Sequence, residues 1–373
     1  MGIILCCGES QIYHSNNLHL YQINRYHSED TKTPKLDIVE QPLLPDNQKE
    51  SEIPGELLSK NSTITSECLN IDIKSNKNNI KKNLKNKNGE FQLLSYNIEH
   101  EAFTTSKIIF PIIKSIEGLS ELTIKQNLFL CGISPKQKNE GSYLFKVNLA
   151  SINESNELNA EILINSQNQH VYPSLISDKS GQIICVGGKN QKQCELYNSN
   201  LNKWYLLPEL PEERFKGTLC IDAKQIFVYL FGGVNLKNKI DNNEDEQVVE
   251  NSILRMDLIK QLIWERIPIK NISKNIIINR LSAASFTFKD DEDFIFLAGG
   301  EDNRKYLDDI IRFSIKDLKF ESTTIKLKNK SKFIHQHAIF NEDQICYFID
   351  SLNRIHMIDR HDCLLIDSYP KEI

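Results

Sequence analysis

His335 and His337 stand two apart in the segment FIHQHAIF, the best opening this sequence offers for metal chemistry. Residues two apart on an extended strand face the same side, so both imidazoles could reach one ion. Four of the nine histidines (His14, His19, His27 and His100) lie in or beside a polar N-terminal stretch, away from any such pairing. Nine cysteines stand at 6, 7, 68, 131, 185, 194, 220, 346 and 363. Only Cys6 and Cys7 are close, and without a C-x-x-C pair a zinc module has no support. Cys131, Cys185, Cys220 and Cys346 sit inside apolar runs, where a thiol packs as a small hydrophobe, as expected of reduced cysteines in an intracellular protein. No G-x-S-x-G elbow, Walker loop or H-E-x-x-H helix is present. The acid runs DDEDF (290–294) and DNNEDEQ (241–247) lack the spacing and the glycine of a calcium loop and read as solvated hairpin loops. No catalytic residue, metal or cofactor is assigned.

The elements that would carry these residues are strands. From Phe91 onward, apolar runs of four to seven residues recur between polar turns: LFLCG, IICVGG, IFVYLFGG, FIFLAGG and ICYFID. Their shortness and their Ile, Val, Phe and Tyr content favour strands, and no stretch gives a convincing amphipathic helix. Residues 1–90 differ. The segment 74–88 carries six lysines with no acid and no aromatic. Such a segment buries too little apolar surface to offset its ordering entropy, so a disordered tail is expected over 1–90.

The runs repeat. Gly187 and Gly188 are followed by Tyr197 and Trp204; Gly232 and Gly233 by Met256 and Trp264; Gly299 and Gly300 by Phe313 and Phe320. A last copy has Ile349-Asp350 in place of the doublet, then Ile358 and Leu365, and a weaker first copy has Gly132 alone. Another strand-like segment precedes each of the last four runs. A period of roughly 45 to 65 residues with four strands per unit is the signature of a β-propeller. The pattern resembles the kelch repeat, in which a Gly-Gly doublet closes the second strand and an aromatic and a tryptophan follow about seven apart. The glycines would sit where a side chain meets the next blade, and the aromatics would fill the wedge between blades. The fold expected is therefore all-β, a kelch-type propeller over residues 91–373. Five units are visible and six blades are preferred, with residues 91–116 joining CLLIDSYP in a closing blade.

The resemblance implies a non-catalytic module that holds protein partners. Its candidate contacts are the polar residues opening the inner strands: His170, Arg214, Arg280 and His337. An arginine there can grip an acidic partner through a bidentate pair, or can serve only hydrogen bonds between blades. The long insert between Gly233 and Ser252, with five acids, is either a partner loop or a tolerated unstructured insertion. The alternative is a propeller enzyme, either a hydrolase or an oxidase with copper on tyrosine and histidine ligands, the reading to which His335 and His337 would belong. No BTB-like, F-box-like or coiled-coil segment is legible ahead of the propeller, so a link to ubiquitin ligation would need a separate subunit.

A formal net charge of −5 argues against a dedicated nucleic-acid binder, and a cytoplasmic monomer is expected. The start MGIILCCGES lacks a basic n-region and is not a secretory signal. Gly2 opens an N-myristoylation-like pattern, with Cys6 where Ser or Thr is usual. Palmitate on Cys6 or Cys7, or the lysine run, would supply the second signal that membrane contact requires.

Overall fold

The computed structural model describes residues 19–26, 90–97, 102–111, 116–134, 140–150, 157–238, 245–249, 252–261, 263–269, 276–288, 291–302, 305–333, 339–340, 345–350, 354–359 and 361–366. Among them there is no α-helix, and hence none long and apolar enough to cross a membrane. Strands β1 (His19–Tyr26), β2 (Glu90–Asn97), β3 (Ala102–Ile109), β4 (Glu117–Ile124), β5 (Asn127–Ile133), β6 (Tyr143–Asn148) and β7 (Glu157–Ile162) form one sheet in the order β1-β2-β3-β7-β6-β5-β4. A second sheet runs through β8 (Ser174–Ser177), β9 (Ile183–Gly188), β10 (Gln191–Asn198) and β11 (Lys203–Leu207). In the third, β12 (Thr218–Ile221) and β13 (Phe227–Phe231) are separated in sequence from β16 (Ile253–Asp257) and β17 (Trp264–Ile267) by a hairpin of β14 (Val234–Asn238) and β15 (Asp245–Val249). The fourth contains β18 (Ala284–Phe286), β19 (Phe294–Ala298), β20 (Glu301–Asp302), β21 (Lys305–Ser314) and β22 (Lys319–Ser331), and the last β23 (Ile339–Phe340), β24 (Cys346–Ile349), β25 (Ile355–Ile358) and β26 (Cys363–Ile366).

Apart from the seven-stranded first sheet these are small antiparallel sheets; they follow one another as propeller blades, and the apolar side chains meet between sheets. One cluster joins Ile184 and Val186 of β9 to Leu219 of β12 and Trp264 of β17. Another joins Tyr229 and Phe231 of β13 to Phe313 of β21 and Phe320 of β22. Local chemistry sets the hairpins. The residue after each expected wedge position turns the chain by accepting backbone N–H groups on its side chain: Asn198 from Asn200 and Leu201, Asp257 from Ile259 and Lys260, Ser314 from Asp317, and Asp359 from His361 and Asp362.

The doublets do what the sequence suggests, with a sharper cause. Gly187, Gly232 and Gly299 all have φ between 55° and 61°. A Cβ on them would meet the carbonyl oxygens of Arg214, Arg280 and Ser331 at 2.4, 2.0 and 2.6 Å. The second glycine of each pair then donates its N–H to that same carbonyl, at 2.9 Å (Gly188), 3.3 Å (Gly233) and 2.8 Å (Gly300). Each doublet is thus a socket for the backbone of the next blade.

Tyr197 and Trp204 lie directly opposite each other across β10 and β11, their ring centroids 5.2 Å apart, and Phe313 faces Phe320 in the same way. Trp204 and Trp264 each donate Nε1–H backwards, to the carbonyls of Ile164 (2.9 Å) and Pro208 (3.1 Å), tying the outer strand to the preceding blade. In the last unit the partner of Ile358 is Cys363, not Leu365, which pairs with His356, because Asp359 closes a tighter turn.

One expectation on chain organisation is corrected. Strands β2 and β3, expected to join CLLIDSYP in a closing blade, do not share a sheet with β26: β3 pairs in parallel with β7, Lys107 opposite Glu157. The strand that extends this sheet is β1, paired with β2 from His19 opposite Asn97 to Tyr26 opposite Glu90. The insert after Gly233 is a paired hairpin, Val234 opposite Val249, anchored by reciprocal backbone bonds between Phe215 and Val234. Gly2, Cys6, Cys7, His335 and His337 lie outside the described residues.

Candidate functional site

His170, Arg214 and Arg280 occupy one equivalent place in three successive blades, four residues ahead of β8, β12 and β18. All three are buried, at 0%, 1% and 1% exposure. Each addresses the carbonyl of the first doublet glycine of its own blade. His170 Nδ1 donates to Gly187 O at 2.7 Å, Arg214 Nη1 to Gly232 O at 3.3 Å and Arg280 Nη1 to Gly299 O at 2.8 Å. The φ > 0 turn leaves this carbonyl without a ladder partner, and a buried carbonyl needs a donor.

Each cation is also met by oxygen from elsewhere. Arg280 forks onto Asp309 (3.2 and 3.0 Å) and reaches back to the carbonyl of Ile277. Burial lowers the guanidinium's affinity for its proton, and Asp309 opposes this. Arg214 meets Ser252 through both carbonyl and hydroxyl (3.0 and 2.8 Å) and pairs with Glu212, which also holds Arg266. His170 faces Glu195 Oε2 at 3.5 Å. Glu195, itself fully buried, accepts from the amides of Gln167 (3.2 Å) and Asn168 (3.0 Å) and from the Asn168 side chain (2.6 Å). With Nδ1–H committed to Gly187, the Nε2 facing that carboxylate is best protonated. Burial pulls the His170 pKa down, but Glu195 and nearby Cys131 outweigh it and the net shift is upward.

In the last blade the charges exchange places. Asp350 stands at the doublet position and His356 on the third strand, joined at 3.0 Å, with Arg354 Nε (2.7 Å) and Ser331 Oγ (3.0 Å) completing the cluster. The carbonyl that enters the Gly299-Gly300 socket here belongs to Ser331, the counterpart of Arg214 and Arg280.

The side chains of His170, Arg214 and Arg280 are therefore buried, and the half-buried residues beside them were not anticipated. Two residues after each comes Tyr172, Lys216 or Ser282, half-buried and held at φ of 55°, 55° and 49°. Ser282 N–H donates to Lys216 O (3.2 Å), Tyr172 N–H to Gly118 O (2.8 Å) and Phe333 N–H to Ser282 O (2.9 Å), linking blade to blade. Deeper in, a second belt runs in register. Ser120, Ser174 and Thr218 donate their hydroxyls to the carbonyls of Pro173 (2.7 Å), Gly217 (2.7 Å) and Ala283 (3.0 Å) of the following blade. Lys216 Nζ lies over the rings of Tyr172 (5.6 Å) and Phe215 (5.9 Å). The spacing of two from His170, Arg214 and Arg280 was readable; the positive φ of these residues was not. Among the described residues no group of three or more His, Cys, Asp or Glu side chains is arranged to hold a metal.

No family model matches the chain. It is similar to proteins described as "Kelch repeat and BTB domain-containing protein 2". The cowpox virus (strain GRI-90 / Grishak) protein is 26% identical over 130 residues, covering 31% of this chain and 22% of that protein. The cowpox Brighton Red protein is 27% identical over the same length, and the horsepox virus protein 26%, with 23% of the latter covered. The match thus spans less than a quarter of these curated relatives.

Proposed function

We propose that this β-propeller, which is similar to kelch-repeat proteins over 31% of its length, is a non-catalytic, cytoplasmic protein-interaction module that presents a partner surface at the doublet end of its blades. The observation that carries this reading is the division of labour at that end. His170, Arg214 and Arg280 are buried on backbone carbonyls, while Tyr172, Lys216 and Ser282 are half-buried, at positive φ, on a frame tied blade to blade. A frame fixed in this way presents side chains with little ordering cost on binding. The hairpin β14–β15 departs beside Phe215, next to the same surface. Partners are proteins of unidentified kind. Peripheral membrane contact through acylated Gly2, Cys6 or Cys7 belongs to the same proposal, and a clickable myristate analogue that labels the wild type but not Gly2→Ala would support it.

The test is proximity labelling in the native cell with the full chain and with a Tyr172→Ala/Lys216→Glu double variant. The expected result is a protein partner that is labelled by the wild type, recovered near one-to-one with it on pull-down, and lost with the variant. Identical labelling by both, or no partner together with about one metal ion bound per chain, would overturn it.

A further inference from the structure

Arg214 and Arg280 stay charged across the physiological pH range, whereas the equivalent residue of the preceding blade, His170, titrates within it. Its ring is buried between two acceptors. Nδ1 lies 2.7 Å from Gly187 O, and Nε2, buried and without a hydrogen bond of its own, faces Glu195 Oε2 at 3.5 Å. A neutral imidazole has one N–H and serves one of the two; only the imidazolium serves both. Among the described residues no lysine or arginine pairs with Glu195, so the countercharge to this fully buried carboxylate is the His170 ring. The other titratable groups nearby are Cys131 on β5 and Cys185 on β9, the latter directly opposite Glu195. Ser142, just ahead of β6, meets the His170 backbone, and Arg214 of the next blade turns its guanidinium away to Gly232 and Ser252.

We propose that His170 is a protonation-dependent lock on the segment 167–172, closed while the imidazolium bridges Gly187 O and Glu195 and released when the ring loses its proton. The segment hangs on this contact. Glu195 accepts the amides of Gln167 (3.2 Å) and Asn168 (3.0 Å), and Ser142 Oγ accepts the amide of His170 (2.6 Å). Beyond the ring, Val171 O accepts Lys189 N–H (2.7 Å) and Tyr172 N–H donates to Gly118 O (2.8 Å). Once Nε2 gives up its proton, Glu195 is a buried charge without its partner, a state that favours opening to water and takes the amides of Gln167 and Asn168 with it. Half-buried Tyr172, held at φ of 55°, carries that release to the surface. The direction follows from linkage. Burial alone would lower the His170 pKa, but Glu195, Cys131 and the Gly187 carbonyl bring it above the ordinary 6.5. A group whose pKa is raised by folding adds stability that is fully present below its unfolded pKa and is lost as pH rises through the folded value. The lock is therefore closed below about pH 6.5 and opens above it, a window that Arg214 and Arg280 do not have. It acts in the free chain, with or without a partner on the surface beside it.

Amide hydrogen exchange of the free full chain reads the lock, with protection factors corrected for the intrinsic pH dependence of exchange. From about pH 6 to about pH 9, protection at Gln167, Asn168, His170 and Tyr172 should fall, by at most about tenfold per pH unit for a single proton. Protection at Gly233, Leu281 and Ser282, the amides around Arg280, should hold over the same range. The fall should persist in Cys131→Ser, where the thiol is gone and the imidazole remains, and should vanish in His170→Arg. Constant protection over 167–172, an equal fall in both groups of amides, a fall abolished by Cys131→Ser, or one retained in a folded His170→Arg would each overturn the proposal. Both groups of amides belong to one molecule, so the wild type decides even where a variant does not fold.

Discussion

Gly232 and the carbonyl of Arg280 interlock across two blades: a Cβ on this glycine would lie 2.0 Å from the Arg280 oxygen, and Gly233 N–H donates to that oxygen at 3.3 Å. The obstacle is backbone on both sides, so neither partner can swing away. Gly232→Ala is expected to cost about 3 kcal/mol or more, combining positive-φ strain with displacement of a blade. Gly181 has φ of 80° with nothing within 4 Å of its would-be Cβ, so Gly181→Ala should cost only about 1 kcal/mol. Urea midpoints of the two variants measure the difference, and equal losses would remove the steric account of the doublet.

Arg280 offers a second contrast. Its guanidinium is buried on Gly299 O and Asp309, so Arg280→Ala leaves a buried carbonyl without its donor and Asp309 without its fork. The expected loss is about 3 kcal/mol, at the low end for a broken buried pair because Asp309 is 29% exposed. Arg280→Lys keeps the charge but cannot serve both oxygens, and should recover only part of the loss. An unchanged melting temperature for Arg280→Ala would remove the account of Arg280 as the donor that satisfies the Gly299 carbonyl.

The doublets and the aromatic pairs were legible because they answer to bulk: few residues fit a socket with a 2.0 Å clearance, and a wedge needs a large ring. The turn residues Asn198, Asp257, Ser314 and Asp359 carry equally local information. Register was legible for Tyr197 with Trp204 and failed for Ile358, where Asp359 tightens the hairpin and brings Cys363 opposite. At the site, spacing located His170, Arg214 and Arg280 along the chain but not the direction of their side chains. That direction is set by carbonyls freed at Gly187, Gly232 and Gly299, 17 to 19 residues downstream, and by Glu195 and Asp309 beyond them. Strand β1 lies 64 residues from β2, and no local signal in HLYQINRY names its partner.

Trp264 separates bulk from tethering. Trp264→Phe retains most of the wedge and loses the 3.1 Å bond to Pro208 O, so a loss of about 1 kcal/mol is expected. Trp264→Ala removes the wedge itself and should cost about 3–5 kcal/mol. Thermal unfolding of both variants reads the two contributions, and equal losses would show that the hydrogen bond, not the ring volume, ties the blades.

Ser282 is held at φ of 49° without needing its hydroxyl for the blade-to-blade link, which its backbone makes through Lys216 O and Phe333 N. Ser282→Gly should therefore stabilise the fold by up to about 1 kcal/mol, the cost of a left-handed residue less the added freedom of the unfolded chain. A lower urea midpoint for this variant would show that the serine side chain itself holds the belt.

Asp350 sets the acid limit of the last blade. Burial alone would raise its pKa, but hydrogen bonds from His356 and Arg354 outweigh it and bring the value down to about 2 from the ordinary 3.8. A carboxyl whose folded pKa is depressed adds stability above its unfolded pKa and loses it as pH falls through the folded value. The window is therefore about pH 4 down to about pH 2, and the amount lost about 2 kcal/mol. Asp350→Asn keeps an acceptor for Ser331 and removes the charge. Its deficit against the wild type should be about 2 kcal/mol at pH 7 and should shrink through that window as the wild type gives up the same interaction. Urea unfolding of both chains at stepped pH measures the gap. A gap that stays constant from pH 7 to pH 2 would mean that Asp350 acts by shape and not by its charge toward His356 and Arg354.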